Sequence, residues 1–426
     1  MRRTLLTLVL GLSLTAGASG DVEWQPWSEA AFERAARENK LVLLDVEAVW
    51  CHWCHVMDET TYADPGVAEL LARHYVCVKV DQDARPDIAN RYRDYGWPAT
   101  VLFKPDGTEL VKLEGYVKPE RMKLILARFR DNPVPEEAAP AEQATAPASG
   151  LPPGLRQELH DWLVERYDRQ RGGWGRVHKF LNPDNLEYCL EGAARGDAQL
   201  AFFGRETLDR QKLLMDPAWG GVYQYSHGGT WENPHFEKIM STQTDNLRTY
   251  AMAYELWGDP DDLAVARSIR GYLKTFLTGP EGAFYTSQDA DLVQGKHSED
   301  YFKLSDRERR ARGVPRVDTH RYARENGWAI RSLAVLYGAT GDPEVLQDAQ
   351  SAAEWVLRER SLPGGGFRHD AVDRGGPFLG DTLACGRAFL ELYAVTGDSR
   401  WLENAVAAAD FIERNFTQPG GGFATA

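Results

Sequence analysis

Two of the five cysteines, Cys51 and Cys54, stand two residues apart in Trp50-Cys51-His52-Trp53-Cys54-His55-Val56-Met57. A Cys-x-x-Cys pair can close and reopen a disulfide, and its reactive form is the thiolate. The apolar run Leu41-Val42-Leu43-Leu44 before it reads as a buried strand, and the residues after it can continue as a helix. At such a junction the unsatisfied N–H groups and the positive end of the helix stabilise a thiolate. Cys51, expected on the exposed side of the turn, is the candidate nucleophile. Cys54, one helical turn later, is the candidate resolving thiol. A partly protonated His52 beside Cys51 lowers its thiol pKa further, toward roughly 3.5–7.5, and Trp53 fills the second variable position.

The same five residues spell Cys-x-x-Cys-His, the attachment signal of c-type haem. A buried strand before the motif, Asp45 upstream and Trp97-Pro98-Ala99-Thr100 downstream are not what haem attachment requires. A zinc site from Cys51, His52, Cys54 and His55 is disfavoured because residues so close in sequence do not converge easily on one tetrahedron. No metal is expected, and no cofactor beyond the Cys51–Cys54 disulfide.

The elements that must position this pair read as α, β, α, α, β, α, β, β, α over residues 21–131. Helices are expected at Ser28–Asn39, after Asp64-Pro65, at Asp87–Tyr95 and at Pro119–Phe129; strands are expected at Leu41–Val46, Tyr75–Val80, Thr100–Lys104 and Glu109–Leu113. Asp45, on the strand leading into the turn, is placed to relay protons to the resolving thiol as a buried carboxylate of raised pKa. Pro98 is placed to be a cis-proline facing the disulfide, with Trp97 beside it against a substrate.

These residues carry a resemblance. Residues 21–131 resemble thioredoxin, and more closely the thioredoxin-like domain of the spermatogenesis-associated thioredoxin-like protein family, whose hallmark Cys-His-Trp-Cys-His-Val-Met is Cys51 to Met57 here. Lys79-Val80-Asp81-Gln82-Asp83-Ala84-Arg85-Pro86-Asp87-Ile88 and Gly96-Trp97-Pro98 match its next two blocks. The resemblance implies an α/β thioredoxin-like fold with Cys51, Cys54 and Asp45 as catalytic residues and Trp97, Pro98, His52 and Trp53 against the substrate.

A formal net charge of −14, with basic residues gathered only at Arg307 to Arg312, argues against a nucleic-acid partner. That basic run is expected to be a solvated face. Residues 1–20 read as a secretory signal: Arg2 and Arg3, the apolar run Leu5 to Leu14, then small residues. The chain is therefore expected to be exported, periplasmic in a diderm source, with no stable membrane insertion. Cys77, Cys189 and Cys385 each lie in an apolar setting and read as small buried hydrophobes.

Residues 132–154 hold six prolines and read as a semi-extended linker. From Leu155 the periodicity turns helical. A Gly-Asp pair recurs at Gly196-Asp197, Gly258-Asp259, Gly341-Asp342 and Gly397-Asp398, and another glycine follows 24 residues after each first glycine, at Gly220, Gly282, Gly365 and Gly421. Two positions beyond lies Val222, Phe284, Phe367 or Phe423. The constant offset predicts a repeated unit of helix, tight turn, helix and return loop. Residues 155–426 are thus expected to form an α/α toroid of helical hairpins. About nine helical patterns fall short of a full six-hairpin barrel, so the toroid is expected to be incomplete or the sequence truncated.

The return loops carry candidate pocket residues His178, Lys179, His235, Glu237, Asp289, Asp291, Glu325 and Asn326. His235-Phe236-Glu237-Lys238, Asp289-Ala290-Asp291 and Glu325-Asn326-Gly327 resemble motifs of the same family's barrel domain, which resembles six-hairpin glycosidases and sugar epimerases. Aromatic faces with carboxylates in a concave site suit sugar rings. Two functions follow as expectations: a thiol-disulfide oxidoreductase acting on a protein or small-molecule thiol or disulfide, and a carbohydrate-binding or carbohydrate-processing protein acting through the toroid.

Overall fold

The structure is a computed structural model that describes residues 22–136 and 152–426. The signal segment and most of the expected linker lie outside the described residues.

The first region is a five-stranded mixed sheet in the order β1-β3-β2-β4-β5. Its strands are β1 (Trp24–Gln25), β2 (Leu41–Glu47), β3 (Tyr75–Asp81), β4 (Ala99–Phe103) and β5 (Glu109–Glu114). β2 runs parallel to β3 and antiparallel to β4, so it is covered on both sides and both faces, which is why it reads as a continuous apolar run. Val42, Leu44 and Val46 join one core layer and Leu43 the other; each such side chain contributes about 1.5–3 kcal/mol on burial. The helices are α1 (Glu29–Glu38), α2 (His52–Met57), α3 (Pro65–His74), α4 (Pro86–Tyr92) and α5 (Pro119–Asp131). Asp64 caps α3 by accepting from the Gly66 and Val67 N–H groups, and Pro65 fills the first position, where its missing N–H is not needed. The element order is the expected one with the short strand β1 added; two residues carry too little periodicity to be read.

The second region is built from helical hairpins after α6 (Leu155–Arg166): α7 (Pro183–Ala194) with α8 (Ala198–Gln211), α9 (Met240–Trp257) with α10 (Pro260–Phe276), α13 (Ala323–Thr340) with α14 (Pro343–Glu359), and α15 (Leu379–Thr396) with α16 (Ser399–Phe416). The short helices α11 (Glu299–Phe302) and α12 (Asp306–Arg312) lie in the long return between α10 and α13. The repeat has a local cause. Gly258, Gly341 and Gly397 close their helices with φ of 67–70°, a conformation open to glycine at no steric cost. Each following Asp, like Asp197 in the first hairpin, caps the next helix through its carboxylate. The residues two beyond the later glycines pair back as bridges, Met215 with Val222, Thr278 with Phe284, Ser361 with Phe367 and Thr417 with Phe423.

α7, α9, α13 and α15 pack side by side as the inner row, each backed by its hairpin partner. Helix α13 packs against α15 at Gly327, where an added Cβ would lie 2.7 Å from the Ala384 carbonyl carbon. Four helices thus lie in one row with a second helix behind each, an α/α arrangement of hairpins.

One expectation is corrected here. The basic run is not uniformly solvated, because Arg309 is fully buried and donates to Asp216 Oδ2 at 2.7 Å. Lys238 reaches the same oxygen at 2.7 Å. Cys77, Cys189 and Cys385 are buried free thiols, as their apolar settings predict.

Candidate functional site

Cys51 and Cys54 are joined as a disulfide. Cys51 holds the N-cap position of α2, and its sulfur accepts from the Cys54 N–H at 3.2 Å. The turn follows the C-terminal end of β2, the end at which open α/β sheets place their ligands. Pro98 is buried and preceded by a cis peptide bond, and Trp97, half-buried, packs against the cluster of Ala48, Trp50, Cys51 and Cys54.

The expected exposure of Cys51 is corrected: it is 4% exposed and Cys54 2%. The cause lies in the second region, whose loops cover the turn. Glu237 Oε1 accepts from the His52 N–H at 3.4 Å, and Ile239 packs on the cysteine cluster. His52 Nδ1 meets Asp291 Oδ1 at 2.7 Å, and His55 Nδ1 meets Asp291 Oδ2 at 3.1 Å. Asp289 Oδ1 lies 3.7 Å from His55 Nδ1.

His55 Nε2 also faces the Val49 carbonyl oxygen at 3.1 Å. Both nitrogens therefore face acceptors, and only an imidazolium can donate to both. Burial pulls the His55 pKa down, but the Asp291 hydrogen bond and the Asp289 and Asp291 charges outweigh it and hold it above the usual histidine value. Burial pushes Asp291 up, and the bonds from His52 and His55 more than reverse that, leaving its carboxyl below the usual range. Asp289, with weaker support, is raised by burial to about 6. His55, Asp289 and Asp291 also have the donor set and spacing of a cation site, yet their atoms already satisfy one another as an ion pair.

Asp45 is buried in β2 and its carboxyl is raised by burial to about 8, against the pull of Lys79, whose Nζ lies 3.7 Å away. Lys79 is shared with Glu47 at 2.8 Å and Asp58 at 2.7 Å. Trp53 points outward, 41% exposed, and stacks on Tyr116.

The eight toroid candidates divide. Glu237, Asp289 and Asp291 come together over the turn that carries Cys51 and Cys54. His235 joins them, stacked on Tyr225 with centroids 4.2 Å apart and 3.9 Å from Glu237 Oε2; burial lowers its pKa to about 4. Glu237, raised by burial to about 7, keeps Oε2 without a hydrogen-bond partner among the described residues. Glu325 lies apart from them, in a cavity also bounded by Trp50 and Trp97. His178 is exposed beside Tyr225. Lys179 and Asn326 serve loops instead of a pocket. Buried Lys179 binds Asp168 at 2.8 Å and the Gly172 carbonyl, and Asn326 holds both backbone groups of Phe284.

Sequence reasoning did not place Trp50, Asp83, Arg324 or Trp328 at the cavity. Asp83 follows the C-terminal end of β3, and that position was the signal available.

Residues 12–130 match the family model described as Thioredox_DsbH: Protein of unknown function, DUF255. The chain is 29% identical to human Spermatogenesis-associated protein 20 over 313 residues, 64% of this chain and 39% of that protein, so it spans well under half of that relative's length. It is 33% identical to Thioredoxin H-type of Fagopyrum esculentum over 103 residues, 24% of this chain and 82% of that one. Among solved structures it is similar to a family 76 glycoside hydrolase from a bovine Bacteroides thetaiotaomicron strain, at 15% identity and a TM-score of 0.49, covering 63% of this chain and 56% of that one. The chain carries a Thioredox_DsbH (DUF255) domain of thioredoxin-like fold, followed by α/α helical hairpins, and is a relative of Spermatogenesis-associated protein 20.

Proposed function

We propose that the chain is a thiol-disulfide oxidoreductase in which Cys51 attacks a substrate disulfide and Cys54 resolves the mixed disulfide. The observation that carries the reading is the Cys51–Cys54 disulfide at the start of α2, packed against Trp97, the residue before the cis-proline Pro98. The Cys54 N–H, which donates to Cys51 Sγ at the start of α2, favours a thiolate in the reduced pair. Buried Asp45, with its carboxyl raised to about 8, can hold a proton near neutral pH and return it. The reading includes an oxidising compartment reached by export of the chain, which cell fractionation tests. The function itself is tested by thiol trapping of the purified protein across a glutathione redox series. The expected result is one reversible two-electron transition that vanishes in Cys51→Ser and in Cys54→Ser. A pair that never changes state across the series overturns the reading.

A further inference from the structure

A cavity of about 210 Å³ lies between the two regions, with Trp50, Asp83 and Trp97 on one side and Arg324, Glu325 and Trp328 on the other. Trp50 and Trp97 belong to the side-chain cluster that encloses Cys51 and Cys54, so the cavity and the disulfide share walls. Its volume exceeds the roughly 150 Å³ that admits benzene and falls below the roughly 300 Å³ where drug-sized sites begin. One ring fits. Cys51 and Cys54, at 4% and 2% exposure, are closed to a disulfide carried on a folded protein surface.

The chemistry of the walls narrows the ring. Three indoles offer flat apolar faces. Asp83 accepts from Trp50 Nε1 at 2.8 Å. Arg324 donates twice to Glu325 Oε1, at 2.5 and 2.9 Å. The other oxygen, Glu325 Oε2, is buried and has no partner among the described residues. An apolar ring would leave that oxygen unsatisfied, and the Arg324 guanidinium, 3.9 Å from Asp83 Oδ1, disfavours a cation. A neutral ring with hydroxyl donors and apolar C–H faces satisfies both. Gln224 and Ser241 supply further neutral polar groups at the rim.

We propose that this cavity is the substrate subsite of the redox pair, and that it takes a low-molecular-weight thiol or disulfide carrying one polyhydroxylated ring. The assignment rests on the oxidoreductase reading above. In the reduced protein the Cys51 thiolate attacks one sulfur of the substrate disulfide, whose S–S bond breaks, and the leaving thiolate takes up the proton that the Cys51 thiol gave up. The Cys54 thiolate then attacks Cys51 Sγ, the mixed disulfide breaks, and the second leaving thiolate takes up the proton that the Cys54 thiol gave up. Two electrons pass from the cysteine pair to the substrate, and the Cys51–Cys54 disulfide is restored. Two molecules of the ring thiol run the sequence backwards.

The test uses the full chain, reduced with dithiothreitol and desalted, and follows reoxidation by thiol trapping. The probes are the disulfide of 1-thio-β-D-glucose, bis(2-hydroxyethyl) disulfide and insulin. The thioglucose disulfide is expected to react at least about tenfold faster than the hydroxyethyl disulfide. Glu325→Gln and Trp328→Ala are each expected to bring the ratio of the two rates below about twofold. Equal rates in the unaltered protein, a preference that survives both substitutions, or insulin as the fastest oxidant overturns the subsite. Failure of all three disulfides to reoxidise the pair overturns the redox reading itself, so the two failures are distinguishable.

Discussion

Two buried imidazoles, His55 and His369, stand in mirrored settings on either side of the contact between the regions. Each places one nitrogen on a carboxylate and the other on a backbone carbonyl: His55 on Asp291 and Val49, His369 on Asp381 at 2.8 Å and on the Asp83 carbonyl at 2.6 Å. In both, the neighbouring carboxylates raise the pKa against the opposing pull of burial. The difference lies in where the charge pair sits. His55 and Asp291 come from different regions, so the ion pair itself crosses the contact. His369 and Asp381 both belong to the helical region, and the first domain supplies only a neutral acceptor. One junction ties the redox turn in place by charge, and the other braces the loop that carries Asp83.

The largest effect should come from breaking the crossing pair. Asp291→Ala leaves His52 and His55 without their carboxylate in a buried site and is expected to cost about 3–5 kcal/mol in chemical denaturation. It should also speed alkylation of the reduced cysteines, since the covering loop loses its anchor. A cost below about 1 kcal/mol with unchanged alkylation would mean that the pair does not hold the contact. Asp381→Ala should cost less, about 1–3 kcal/mol, because Asp381 holds one histidine and one backbone N–H of its own region, whereas Asp291 holds both His52 and His55 across the contact. That substitution should leave cysteine alkylation unchanged, and a rise equal to that of Asp291→Ala would erase the distinction between the junctions.

The smallest effect is the pH dependence. The raised histidines contribute stability that is complete below the ordinary imidazole pKa of about 6.5 and is lost as pH rises through their folded values. The buried acids Glu237 and Asp83, each raised to about 7, and Asp45, raised to about 8, have the same sign. Their contribution is complete below the ordinary carboxylate range and fades as pH climbs through 7 to 8. Asp291, held low, loses its contribution only in stronger acid. Melting temperature should therefore fall by on the order of 5 °C between pH 5 and pH 8, and Asp291→Ala should flatten the part of that slope above pH 6.5. A melting temperature that rises with pH across this range would contradict the assignment.

The sequence made the fold legible where its cause is local. Asp64-Pro65, the four Gly-Asp turns and the alternation around Leu41 to Glu47 each act within a few residues, and each appears in place. The pairing of cysteines, the strand before them and the position of Pro98 were readable for the same reason. The burial of Cys51 was not, because the residues that cover it, Glu237, Ile239 and Asp291, lie about two hundred positions away. Nothing in the spacing of Asp289 and Asp291 said that they would meet His52 and His55 instead of lining a groove. Lys179 and Asn326 looked like pocket residues because a polar side chain in a loop carries no mark of whether it faces solvent or a backbone group. Arg309 misled in the same way: a run of arginines reads as solvated unless the acid waiting for one of them, Asp216, is known.

The enclosure of the Cys51–Cys54 pair also bears on time. Exchange between two couples needs sulfur to touch sulfur in line, and a disulfide walled on both sides offers few such collisions to solutes at large. On the oxidoreductase reading proposed above, its oxidation state lags behind the surrounding thiol pool, as a capacitor behind a large resistor lags the applied voltage. A sample taken soon after a redox shift would find the pair still reporting the conditions that preceded it.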